Sequence, residues 1–168
     1  MKKLLFLLLP ILSYCQDIKI VKDDFTSIKK IQVTTQKQNA LLPGSIAKGI
    51  TMTLTCYANI SSSGEKFMYL SANMAIGSIQ CFSNLDGKIV FLFEDGTTLT
   101  LKQISKLKCD TNAIVMYELP ETSMVTFLNN DIKKIRVYST DVYLDGEIKE
   151  GKKQLIKDTF IAYQNALN

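Results

Sequence analysis

The stretch Lys88–Lys102, KIVFLFEDGTTLTLK, carries the strongest local signal in the chain. Two β-rich runs flank Asp95-Gly96, a pair suited to a two-residue hairpin turn in which both central residues need positive φ. Such a turn pairs Glu94 with Thr97. It sets Leu92 opposite Leu99 and Val90 opposite Leu101 on one face, and turns Phe91 and Phe93 to the other beside Thr98 and Thr100. Large apolar groups then occupy both faces, so this strand is expected to be covered on both sides.

Working outward, Ile50–Ile60 (ITMTLTCYANI) alternates strictly. Ile50, Met52, Leu54, Cys56, Ala58 and Ile60 share one face, and the threonines, Tyr57 and Asn59 take the other. This is the period of a half-buried strand. Ser61–Gly64 reads as a turn. Met68, Leu70, Ala72, Met74 and Ile76 then alternate again, so the two segments predict a hairpin with a common apolar face. Ile18–Thr35 is a further strand region, separated from the rest by a loop around Leu42-Pro43-Gly44-Ser45. Ala113–Leu119 is another strand. Pro120-Glu121 opens a short helix with Met124, Phe127 and Leu128 at helical spacing, ending near Asn129-Asn130. Ile132–Ser139 returns to strand. From about Glu150, Leu155, Ile156, Phe160, Tyr163 and Leu167 form one face of an amphipathic helix, with Lys153, Lys157, Gln164 and Asn165 opposite. That helix is expected to cover a sheet face, the Phe91/Phe93 face being the candidate.

The expected fold is α+β and mainly antiparallel: a curved or barrel-like sheet of about seven or eight strands, a short helix and a C-terminal helix. A lipocalin-like barrel is one such arrangement. The chain has no Trp, so a common early-strand signature of that family is missing, and a curved sheet packed on helices is preferred. At Phe93-Glu94-Asp95-Gly96 and Ile132-Lys133-Lys134-Ile135-Arg136-Val137 the chain resembles small uncharacterised secreted bacterial proteins. In those, an F-x-D-G hairpin precedes a short helix and an I-K-K-I-R-V strand. The resemblance covers roughly Ile89–Tyr143 and implies no activity.

The N-terminus reads MKKLLFLLLPILSYCQ. Lys2 and Lys3 form a positive start, Leu4–Leu12 an apolar run broken by Pro10, and Ser13 and Cys15 are small residues where a signal peptidase reads. The run is about half the ~20 residues that span a bilayer. Residues 1–15 are therefore expected to be a signal peptide and 16–168 a single β-rich domain. Cleavage between Cys15 and Gln16 gives a soluble secreted or periplasmic protein. Cleavage before Cys15 gives an outer-membrane lipoprotein, tied to the membrane through that residue. Tyr14 departs from the small residues that precede a lipid-bearing cysteine, so the soluble product is favoured.

Removing 15 of 168 residues leaves 153, enough for one core. Without Lys2 and Lys3 there are 18 basic and 16 acidic residues, too balanced to indicate nucleic acid or another polyanion. The lysine pairs at 29–30, 133–134 and 152–153 are dispersed and read as solvated faces. Cys56 lies on an apolar strand face and reads as a buried thiol. The odd count allows at most one internal disulfide, and the pairing among Cys56, Cys81 and Cys109 stays open, a Cys81–Cys109 bridge being one choice.

The chain has no histidine. That removes Ser-His-Asp and Cys-His arrangements and the usual zinc sites. No Walker loop or G-x-G-x-x-G occurs. Asp141–Glu147 has the oxygen ligands and glycine of a calcium loop, but Tyr143 takes a ligand position and Lys152 stands where a glutamate is needed. An ordinary turn is the better account. Asp23-Asp24, Glu94-Asp95 and the Asp141/Asp145/Glu147 group are candidate carboxylate pairs for glycan hydrolysis, and each also suits a turn or a helix cap. Asn59-Ile60-Ser61 matches a glycosylation acceptor. Phe67, Tyr69, Phe91 and Phe93 are candidates for a ligand pocket or interaction surface, set against ordinary core packing.

The sequence thus points to an exported, non-enzymatic protein without cofactor or metal. Its partner is expected to be a protein, an envelope component or a small apolar ligand. The alternatives are a carboxylate-dependent hydrolase acting on glycans and a structural or assembly subunit, the latter requiring an unpaired strand edge.

Overall fold

The computed structural model describes residues 17–23, 26–34, 51–83 and 85–168. The leader with Cys15 and Gln16, Asp24, Ile50 and the loop at 42–45 lie outside that set. Among the described residues there are nine strands and two helices: β1 (Asp17–Lys22), β2 (Lys29–Thr34), β3 (Thr51–Ile60), β4 (Lys66–Phe82), β5 (Lys88–Phe93), β6 (Thr98–Lys102), β7 (Lys108–Glu118), α1 (Glu121–Asn129), β8 (Ile132–Tyr138), β9 (Tyr143–Glu147) and α2 (Glu150–Leu167). Every strand pairing is antiparallel. The strands form no closed barrel. They divide into a five-stranded sheet, β1-β2-β3-β4-β7, and a four-stranded sheet, β6-β5-β8-β9.

The β3–β4 hairpin follows the alternation. Met52, Leu54, Cys56 and Ala58 are buried, as are Met68, Leu70, Ala72, Met74 and Ile76 across from them. Its turn closes through the Gly64 N–H on the Ser61 carbonyl, with Gly64 at φ 86°. The β5–β6 hairpin forms one residue out of the expected register. Phe93, not Glu94, pairs with Thr97, the Phe93 N–H reaching the Thr97 carbonyl at 3.0 Å. The loop is therefore the three residues Glu94, Asp95 and Gly96, of which Gly96 takes the positive φ of 83°. Asp95 accepts hydrogen bonds from the Thr97 N–H (2.9 Å) and hydroxyl (2.7 Å), which favours this wider loop over a two-residue turn. A one-residue shift exchanges the two faces. Phe91 now sits opposite Leu99 and Ile89 opposite Leu101, and Ile89, Phe91, Phe93 and Leu101 all point into the core.

Neither sheet can cover its own inner face, and the helices do so. Phe127 of α1 stacks on Phe160 of α2 with centroids 4.0 Å apart. Phe91 and Phe93 meet the Phe127 ring edge-on at 4.9 and 5.8 Å. Further along the same buried stripe α2 reaches the five-stranded sheet: the Tyr163 hydroxyl donates to the Tyr57 carbonyl at 2.6 Å, and Lys29 Nζ to the Ala166 carbonyl at 3.2 Å. Lys153 pairs with Glu94 at 2.6 Å and also with Glu150, while Lys157 pairs with Asp131 at 3.1 Å, so the near ends of the hairpin and of β8 are tied to the helix. Buried residues of both sheets and both helices form one contiguous cluster.

The sheets meet at two places. Gln103, just past β6, makes an isolated bridge to Tyr117 of β7. At the far end of β4 the Cys81 carbonyl accepts from the Thr140 N–H at 2.7 Å. β4 reaches that point through a bulge: from Ala75 to Gln80 it advances five residues while β7 advances two, with Gly77 at φ 78°. Beyond the bulge Cys81 and Cys109 stand directly opposite and are disulfide-bonded, Cα–Cα 4.0 Å. Gly87 is packed where the sheets join. A Cβ there would lie 2.1 Å from Gln103 Oε1 and 2.2 Å from the Ser83 carbonyl, so no larger residue fits.

Two outcomes are expected. Phe127→Ala should cost about 3–5 kcal/mol in urea unfolding, because its ring connects β5 to α2. The Thr97 hydrogen bonds hold the Asp95 carboxyl below its ordinary range. A depressed folded-state value means the turn gains stability above the unfolded value and loses it as pH falls through the folded one. The Thr97 amide signal in NMR should therefore titrate below about pH 4, and Asp95→Asn should abolish that titration.

Candidate interaction surface

The four aromatic candidates separate. Phe91 and Phe93 are 0% exposed and belong to the core, so they form no surface. Phe67 is 54% exposed and Tyr69 half-buried, both on the side of the five-stranded sheet that faces away from the helices. That outer face is built by alternation. It receives Lys30, Gln32 and Thr34 from β2, and Thr53, Thr55, Tyr57 and Asn59 from β3. It receives Phe67, Tyr69, Ser71, Asn73 and Ala75 from β4, and Asn112, Ile114, Met116 and Glu118 from β7. β1 adds Asp17, Lys19 and Val21, opposite Thr34, Gln32 and Lys30, so the charges on this face among the described residues are Asp17, Lys19, Lys30 and Glu118.

Register decides which of these meet. Tyr57 lies across from Tyr69, and the rings stack at 4.8 Å with an interplanar angle of 9°. Asn59 lies across from Phe67, whose ring is 5.7 Å from that of Tyr69. Burial, and then the neighbouring Tyr57, pushes the Tyr69 phenol up, so it is a neutral hydrogen-bonding group at ordinary pH. On β7, Met116 sits opposite Ser71 and Ile114 opposite Asn73, both exposed. Aromatic and aliphatic groups thus run across three strands.

At one end of this face lies an open groove of about 400 Å³, lined by Ile28, Asn59, Ser61, Glu65, Lys66 and Phe67. A second depression of about 130 Å³ adjoins it, sharing Lys66 and Phe67 and completed by residues 118–121 and Met68. Lys66 pairs with Glu121 at 3.3 Å between them. Asn59 of the glycosylation pattern is half-buried at the rim.

The carboxylate candidates hold structural positions. Glu94 pairs with Lys153, and Asp95 closes the hairpin. Asp23 accepts from the Thr26 N–H at 3.2 Å, and Glu147 pairs with Lys134 at 3.8 Å. The side chain of Asp145 lies outside the described set. The segment read as a turn or calcium loop is strand β9, with Gly146 opposite Ile135 in the ladder. Among the described residues no cluster of three or more Asp, Glu or Cys is placed to hold a metal ion, and no helix is long and apolar enough to cross a membrane. Cys56 is a free thiol, fully buried, and burial raises its pKa far above the ordinary value.

Tyr57 was assigned the outer face by alternation but not grouped with Phe67 and Tyr69. The pairing that joins them depends on hairpin register. Ile114 and Met116 had no sequence signal, because Ala113-Ile114-Val115-Met116-Tyr117 is apolar at every position. No protein-family model, curated protein or solved structure matches the chain.

Substitution separates surface from core. Phe67→Ser should change unfolding free energy by less than about 0.5 kcal/mol, whereas Phe91→Ser should cost more than about 3 kcal/mol. Cys56 should resist a thiol reagent in the native protein and become labelled on unfolding, as read by peptide mass.

Proposed function

We propose that the chain is an exported, non-enzymatic interaction module that docks another protein or envelope component on the outer face of its five-stranded sheet. The supporting observation is the composition of that face. The solvated side of an antiparallel sheet ordinarily carries polar and charged groups. Here Tyr57, Phe67, Tyr69, Ile114 and Met116 stand mostly among uncharged Thr, Ser, Asn and Gln, with Glu118 opposite Tyr69, Lys30 opposite Asn59, and Asp17 and Lys19 on the edge strand. Enrichment in Tyr, Phe and Met with few charges is the signature of an interface centre. The grooves beside Phe67 are open and rimmed by Glu65, Lys66 and Glu121, which suits a macromolecular surface better than an enclosed apolar ligand.

Export is supported by the leader pattern and by the Cys81–Cys109 disulfide, a bond that persists mainly in oxidising compartments. Intact mass of the protein from the cells that make it tests this. A chain starting at Gln16, or one starting at an acylated Cys15, is the expected result, and retention of Met1–Cys15 refutes export.

The docking reading is tested by a photo-crosslinking residue placed at Phe67 or, as control, at Thr100 on the exposed side of β6. Discrete adducts are expected from position 67 and not from position 100. Equal labelling at both, or none at 67, counts against it.

A further inference from the structure

We infer that the free edge of β1 is a self-association site, where a second copy adds its own β1 antiparallel across a two-fold axis through Ile20. Among the described residues β1 has one neighbour, β2, and stands at the edge of the five-stranded sheet. The Asp23 N–H reaches the Ile28 carbonyl at 3.0 Å, continuing the register that pairs Lys22 with Lys29. Hydrogen-bonded pairs recur at every second residue of an antiparallel ladder. Val21, Lys19 and Asp17 therefore also turn their backbone groups toward β2. Ile18, Ile20 and Lys22 turn theirs to the open edge. That outward set is symmetric about Ile20.

The side chains of the same residues face the inner side of the sheet. Ile18 stands opposite Val33 and Ile20 opposite Ile31. Val33 and Ile31 are 0% and 1% exposed, yet Ile18 and Ile20 are 46% and 54% exposed. The core therefore stops at β2, leaving two inward isoleucines uncovered beside an open hydrogen-bonding edge.

A second copy fits this edge because the strand is complementary to itself in one register. Centring the axis on Ile20 opposes Ile20 to Ile20 and Ile18 to Lys22 of the other copy, so all three outward residues exchange backbone bonds. On the outer face Lys19 meets Val21. Lysines on an edge ordinarily discourage strand addition, but here each lies against an aliphatic partner, where its methylene stem covers apolar surface. Centring on Lys19 would instead set Lys19 against itself, and centring on Val21 would leave Ile18 unmatched.

The axis stands perpendicular to the sheet. Both outer faces therefore point the same way on one ten-stranded sheet, and two copies present the Tyr57/Phe67/Tyr69 surface side by side. The dimer does not depend on what those faces bind.

The test is analytical ultracentrifugation of the full chain, as processed by its own cells, over a concentration series. A monomer–dimer equilibrium is expected. Ile20→Pro removes only an N–H that points away from β2, a change edge strands tolerate. It should weaken dimerisation by more than about tenfold with circular dichroism unchanged. Ile20→Lys places like charges on the axis and should do the same, which secures the test if the proline variant misfolds. Ile20→Cys should yield a disulfide-linked dimer through residue 20 on oxidation. A wild-type monomer throughout the series, undiminished dimer in the Lys variant, or absence of the residue-20 crosslink would overturn the inference. Loss of dimer with adducts at Phe67 intact separates this site from the docking face.

Discussion

The stack of Phe127 on Phe160 is the contact on which the arrangement depends. One ring comes from the short helix between β7 and β8, the other from the C-terminal helix, and Phe91 and Phe93 meet the Phe127 ring edge-on. Each sheet presents an apolar inner face and has no second sheet to lie against. α2 resolves this by carrying Phe160 toward β5 and Tyr163 toward β3 on one helical stripe. Stacked and edge-on aromatic pairs contribute about 0.5–1.5 kcal/mol each beyond the area they bury. They also fix orientation, which an aliphatic contact does less well. The ion pairs of the half-buried Lys153 and Lys157 then tie the N-terminal half of the helix to the hairpin and to the residue before β8.

The helices fill the inside, and among the described residues no helix or strand lies over the outside of the five-stranded sheet. The bulge in β4 carries its last residues toward the four-stranded sheet, where Cys81 meets both Cys109 and Thr140. The bridge at Gln103 and Tyr117 holds the other junction. Neither joint continues the hydrogen-bonded ladder, and this is why nine strands make two sheets rather than a closed barrel. An open arrangement leaves edges, and among the described residues β1 is one of them.

Much of this was legible where one periodicity dominated. The β3–β4 alternation, the two helices and the buried Cys56 all agree with the sequence, whereas the Cys81–Cys109 pairing is set by the β4–β7 register. The failures share a cause: each turned on geometry that composition does not encode. Asp95-Gly96 supports a two-residue or a three-residue loop, and the Asp95–Thr97 hydrogen bonds decide between them. That shift changes which β6 residues share the face of Phe91 and Phe93, from Thr98 and Thr100 to Leu99 and Leu101, and the face itself packs on Phe127 of α1. Asp141–Glu147 reads as a turn, yet the turn ends at Val142, where the Ser139 N–H meets the Val142 carbonyl, and Leu144, Gly146 and Ile148 beyond it are buried in alternation. A barrel and a pair of joined sheets have the same strand pattern, and the difference lies in the bulge near Gly77.

The outer face poses a further physical question: how much of it does sheet stability alone explain? Tyr is a favourable strand residue, and a cross-strand aromatic pair stabilises its ladder by roughly 0.2–1 kcal/mol. The stacked Tyr57 and Tyr69 are accounted for in this way whatever the protein does. Phe67, Ile114 and Met116 are not. Phe67 stands opposite Asn59 rather than another aromatic, and Ile114 and Met116 stand opposite Asn73 and Ser71. Threonine would serve the strand as well at each position and would hold water better. Scattered apolar residues are common on surfaces. Phe67 on β4 and Ile114 and Met116 on β7 are instead continuous with the aromatic pair, and together they form one exposed apolar patch beside Glu118 that cross-strand pairing alone does not account for.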